Sequence, residues 1–129
     1  MAQIKIYGLR TTLLAKRELL STAIHQSVMS ALDYPAEKKF HRFISLDKGN
    51  FIYPDDRSEN YLIIEISMFE GRSVEAKKSL IRALFSNIEA DLGISPQDVE
   101  ITILETPKQN WGIRGKPGDE LVLGYKVEV

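Results

Sequence analysis

The stretch MFEGRSVEAKK, residues 68–78, ends an apolar run on a glycine and an arginine, then opens into helix-like sequence. IYGLRTTLLAKR, residues 6–17, does much the same near the start of the chain. Set at an offset of 61, the two segments align without a gap: Ala15, Lys16 and Arg17 fall on Ala76, Lys77 and Lys78. Leu20 then falls on Ile81, Ala23 on Leu84 and Pro35 on Pro96. The order strand, turn, helix, proline, strand is therefore written twice, in pseudo-repeats of about 2–46 and 61–104.

Working outward, QIKIY alternates apolar and polar residues with the period of a strand. Gly8 ends it, and Thr11 or Thr12 is the expected helix cap. Leu20, Ala23, Ile24, Val28 and Ala31 recur at helical spacing until Pro35. KFHRFISL and NFIYP flank DKGN, residues 47–50, which predicts an extra β-hairpin. YLIIEISMF, residues 61–69, is strongly strand-like. Ser73 is the candidate cap of a second helix carrying Leu80, Leu84 and Ile88, which ends near Gly93. VEITIL predicts another strand, and LVLGYKVEV a closing C-terminal one. Two βαβ units with right-handed crossovers give an α+β fold: one mixed β-sheet with both helices on a single face. Gln3, Lys5, Glu65, Ser67, Glu100 and Thr102 make the other face too polar for a second helical layer. At 129 residues the expectation is one domain, 1–129.

Composition narrows the functions. The net charge is −1 with no basic stripe, so no nucleic-acid partner is expected. No cysteine is present, which excludes disulfides and thiolate chemistry. No run approaches the ~20 apolar residues of a membrane helix, and MAQIKIYG does not read as a signal peptide. The default expectation is a cytoplasmic chain with no membrane partner. His25 and His41 lack spaced carboxylate partners, so neither a metal site nor a cofactor is expected.

The G-R-S turn, the run GRSVEAKKSLIRALFSNIEADLGISPQD at residues 71–98, and the later N-W-G-x-R-G at 110–115 carry a resemblance. Together they resemble the tautomerase superfamily, and within it the malonate semialdehyde decarboxylase-like group, including bacterial members that lack the amino-terminal proline. The resemblance implies the macrophage migration inhibitory factor-like fold and a homotrimer with polar sheet faces turned toward the threefold axis. It also implies an enzyme whose amino-terminal proline acts as base or acid on a carbonyl substrate while arginines hold a carboxylate. The ungapped match places Ala2 at the proline position and Lys38 at that of an aspartate. Arg72 falls on one of two arginines, the second falling near Glu70. Trp111 matches a tryptophan of the active-site region, and Arg114 lies close to a family arginine. The implied substrate-binding set is thus Arg72, Trp111, Arg114 and Lys38, around a catalytic position held by Ala2.

A terminal amine has an ordinary pKa of ~7.7–8.0, which burial or a nearby Arg72 lowers. With Met1 attached, Ala2 has only an amide nitrogen. Two readings stand side by side. One is a keto-enol tautomerase or decarboxylase acting on a small carbonyl-carboxylate. The other is a non-catalytic trimeric protein that binds a small acid or a protein partner.

Overall fold

In the computed structural model, which describes residues Met1 to Val129, the alternation along QIKIY becomes strand β1, Ala2–Leu9. Ile4 and Ile6 are buried while Gln3, Lys5 and Tyr7 are half-exposed, because successive strand side chains point to opposite faces. Helix α1, Arg10–Leu32, returns the chain to β2, His41–Leu46, which lies parallel to β1. The second unit repeats the path with β3, Leu62–Phe69, helix α2, Val74–Leu92, and the parallel strand β4, Val99–Thr106. The sheet order is β2-β1-β3-β4, so the two parallel pairs meet antiparallel at β1 and β3.

Ile4 and Ile6 of β1 and Leu62, Ile64, Ile66 and Met68 of β3 share one apolar cluster with the helices. Leu20, Ile24 and Val28 come from α1, and Leu80, Leu84 and Ile88 from α2. The helices are also tied by a polar contact. Ser27 Oγ donates to Ala23 O within α1 and accepts from Asn87 Nδ2 of α2 at 2.9 Å. Close approach explains one glycine: a Cβ on Gly8 would stand 2.9 Å from Leu62 Cδ2 and 3.1 Å from Leu13. Gly71 has φ 131, a conformation that side chains disfavour, and it turns the chain sharply between β3 and α2. Ser73 then caps α2, its side chain accepting from Ala76 N at 3.1 Å. Gly93 closes the helix in the left-handed region.

Three local expectations change. Neither Thr11 nor Thr12 caps α1: the cap position is Leu9, with no side-chain bond. Thr12 Oγ1 instead donates to Glu59 O at 2.7 Å, tying the helix to the loop before β3. DKGN forms a short 3-10 turn, Lys48–Asn50, rather than a hairpin. The following segment leaves the sheet because Phe51 packs with Leu9 and stacks on Tyr61. The hairpin lies later, between β5, Gly112–Ile113, and β6, Lys116–Pro117. Its two central residues, Arg114 and Gly115, have φ of 50 and 84, the signature of a two-residue turn matched to strand twist. Finally, LVLGYKVEV adds no strand. Its Val127 is buried with Phe69 and Met1, and Val129 O accepts from Ser73 N at 2.9 Å.

The two histidines meet at the edge of the core, their rings edge-on at 5.9 Å. His25 Nε2 donates to Ala36 O, and His41 Nδ1 bonds Ser21 Oγ, each at 2.7 Å. Burial, helped by His25 and Lys39, holds the His41 pKa down at about 4. Below its ordinary 6.5 the unfolded chain takes up a proton that the folded chain refuses, so stability falls as pH drops from about 6.5 toward 4. His41→Gln should lose less stability between pH 7 and pH 5 than the wild type, measured as chemical denaturation midpoints. Equal losses would contradict this role.

Candidate active site

The β1–β3 register sets Ala2 opposite Met68, so the start of the chain lies beside the turn that leaves β3. Phe69 N donates to Met1 O at 3.3 Å, extending the pairing by one residue. Gly71 then reverses the chain and sends Arg72 inward, where it is only 5% exposed. Its Nη1 donates to Phe69 O at 3.4 Å, while Nε and Nη2 are buried without a partner. Arg72 pairs with neither Glu70 nor Glu75, the carboxylates nearest it in sequence. Glu105 is already bound to Lys77 at 2.7 Å. Desolvation consequently pushes the guanidinium pKa down.

The Met1 amine occupies the same corner and donates to Tyr125 Oη. Burial is the largest influence on it, followed by the positive charges of Arg72, Lys108 and Lys38. Together they hold its pKa at about 4, down from 8.0. An amine in this state is neutral at pH 7, its lone pair free but only weakly basic. One residue on, Ala2 N donates to Tyr34 Oη at 3.1 Å. The rings of Tyr34 and Tyr125 stand edge-on with centroids 4.9 Å apart. A cavity of about 40 Å3 opens beside them, lined by Met1, Lys38, Ile113, Arg114, Leu123 and Tyr125 among others.

The residues singled out in sequence fall into two groups. Lys38 and Arg114 line the cavity, with Met1 rather than Ala2 at its wall. Arg72 lies behind that wall, within electrostatic reach of the amine, and Ala2 is buried. Trp111 does not line the cavity. Its Nε1 donates to Thr106 Oγ1 at 2.7 Å, and its ring stands edge-on to Phe69 at 5.2 Å, supporting the strand that precedes Arg72. Tyr34, Tyr125 and Lys108 were not singled out in sequence. Tyr34 follows the left-handed Asp33 at the end of α1, and Tyr125 sits in the tail. A lone aromatic outside any periodic pattern carries no spacing signal.

The corner therefore gathers an uncharged amine, two phenols and three cationic side chains, with an apolar floor of Phe69 and Val127. Comparison with known proteins follows the same line. A family model described as tautomerase enzyme matches residues 38–114. The probable tautomerase YusQ of Bacillus subtilis (strain 168) is 28% identical over 97 residues, covering 71% of this chain and 76% of that one. Malonate semialdehyde decarboxylase superposes with a TM-score of 0.82 at 23% identity, covering 93% of this chain and 99% of that one. A fused 4-OT in an asymmetric trimer superposes with a TM-score of 0.79 at 19% identity, covering 91% and 96%. At these identities the structural likeness concerns the fold.

A buried guanidinium with two unpaired nitrogens is a stability cost retained in the fold. Arg72→Leu should raise the unfolding free energy by about 1 kcal/mol, because an apolar side chain avoids that desolvation. The same variant should lose any thermal stabilisation that millimolar pyruvate gives the wild type. A clearly destabilised Arg72→Leu protein would show that the guanidinium is structurally satisfied.

Proposed function

Because this chain belongs to the tautomerase enzyme family, we propose that it acts on a small molecule bearing both a carbonyl and a carboxylate, as a keto-enol tautomerase or decarboxylase. One observation carries the reading. The chain's amine, held neutral at pH 7, sits within electrostatic reach of a buried arginine that has no counter-ion. In this reading the amine moves a proton next to the carbonyl, and Arg72 holds the carboxylate with Lys38 and Arg114 at the mouth. Arg72 fits an anion because its two free nitrogens are already desolvated, so a carboxylate displaces little water to reach them. The reactive nitrogen is that of Met1, or that of Ala2 once Met1 is removed; either lies in this corner. Without Met1, the Ala2 amine is a primary amine in place of the family's proline.

A second reading has its own support. Ala2 N is an amide bonded to Tyr34, and Met1 fills the space beside Phe69 and Val127. Where the Met1 amine, one residue beyond the proline position, stands too far out to serve the substrate, the chain is a small-acid binder without the proline-type base. In both readings the protein is a trimer. Its half-exposed sheet face and its bare aliphatic side chains, Ile52 at 92% and Val122 at 95% exposed, need partners, and the fused 4-OT neighbour is a trimer.

Mass spectrometry of the native N-terminus, joined to an assay with a phenylpyruvate enol, tests the reading. Where Met1 is retained and active, turnover should persist from pH 8 down to pH 5, because its amine, held at about 4, is neutral across that range. Arg72→Ala should lower kcat/KM about tenfold or more, the loss expected for one charged hydrogen bond. Ala2→Pro in a chain lacking Met1 should raise turnover. If neither the wild type nor Ala2→Pro turns the enol over, the non-catalytic reading prevails. Light scattering that shows a monomer at micromolar concentration would remove the trimer.

A further inference from the structure

Two phenols in this corner have no role in the family resemblance, yet each contacts a backbone nitrogen at the start of the chain. We propose that Tyr34 is a positioning residue that fixes the nitrogen of residue 2, and that Tyr125 binds the carbonyl oxygen of the ligand. This rests on the reading of the corner as a site for small oxo acids.

Met1 shows what the space is shaped to hold. Its amine donates to Tyr125 Oη, its carbonyl accepts from Phe69 N, and its side chain packs on Phe69 and Val127. One residue thus presents a polar head, a carbonyl oxygen and an apolar arm, each with its own partner. In a chain that starts at Ala2 the Phe69 N–H and the apolar floor stand free, and the Tyr125 hydroxyl keeps only its neighbours Tyr34 and Arg72. The Arg72 guanidinium, with two nitrogens unpartnered, lies within electrostatic reach of Tyr125 and of the Met1 amine. The complementary ligand is a small 2-oxo acid with a short apolar arm. Its carboxylate goes to Arg72 and the Phe69 N–H, and its carbonyl oxygen to Tyr125. A hydroxyl both accepts and donates, so the oxygen that now accepts from the Met1 amine would donate to a carbonyl. Tyr125 already lines the cavity, which gives its hydroxyl access to a ligand.

Tyr34 has the other task. It is almost fully buried, and its hydroxyl accepts from the nitrogen of residue 2 at 3.1 Å. Burial, with Tyr125 beside it, raises the Tyr34 phenol well above its ordinary value, so it remains a neutral hydroxyl rather than a base. Holding one N–H there constrains where the nitrogen lone pair points once that nitrogen is an amine. Tyr34 bonds this nitrogen, while Tyr125, Arg72, Lys108 and Lys38 face the Met1 amine one residue away.

The experiment uses the full chain starting at Ala2, verified by mass spectrometry, with pyruvate and propionate as probes in calorimetry. Tyr125→Phe keeps the ring and its packing on Tyr34 but loses the hydroxyl. It should weaken pyruvate about tenfold and leave propionate, which has no carbonyl at that carbon, within about twofold. Arg72→Ala should weaken both. Tyr34→Phe should leave pyruvate within about threefold but lower the midpoint of the residue-2 amine, followed by NMR, by about half a pH unit or more. If pyruvate and propionate bind but Tyr125→Phe treats them alike, the Tyr125 assignment is wrong while the small-acid reading stands. An unmoved amine midpoint in Tyr34→Phe overturns the positioning role. If neither acid binds the wild type, the small-acid reading falls and this inference with it.

Discussion

The antiparallel contact between β1 and β3 is the constraint on which everything else rests. Ile4 faces Ile66 and Ile6 faces Ile64 across it, so both strands turn the same apolar side to the helices. A slip of one residue would invert a whole strand and expose its isoleucines, so the register is held by the full apolar face rather than by any one bond. That register also fixes the corner. Because Ala2 lies opposite Met68, Phe69 reaches Met1, and the Gly71 turn delivers Arg72 to the chain's first nitrogen. Fold and site are consequences of one alignment.

Electrostatics give the corner its character. Elsewhere three cations are closely paired: Arg57 bonds Asp56 and Glu100, Arg10 bonds Asp47, and Lys77 bonds Glu105. Arg72 receives no such partner. Lys108 reaches Glu128 only at 3.8 Å, in an exposed pair worth little. Phenols stand where carboxylates would otherwise neutralise the charge. The result is an uncompensated positive region in a partly dry setting, where an incoming anion gains more than it would at an open surface.

Regular patterns made the main architecture legible in sequence. Period-two alternation found β1, β3 and β4, helical stripes found both helices, and Ser73 and Gly93 marked the ends of α2 through well-defined backbone chemistry. What escaped depended on tertiary contacts. The DKGN turn has hairpin residues, but Phe51 packs against Leu9 and Tyr61 and carries the chain away from the sheet. Thr12 is spent on Glu59 rather than on its own helix. Arg72, Lys38 and Arg114 could be singled out only through the family resemblance, by the positions they match in it. Tyr34 and Tyr125 could not, since they come from opposite ends of the chain and meet only through folding.

The tail that walls the cavity is fastened differently from the sheet. Leu121 N bonds Gly118 O and Val129 O accepts from Ser73 N, but residues 122–128 between them make no backbone–backbone hydrogen bond. Their hold on the molecule is side-chain contact, chiefly Val127 and Tyr125. Such a segment detaches at a far smaller free-energy cost than the ladder beneath it. The outer wall of the corner is therefore the part of the chain that opens most readily to solvent.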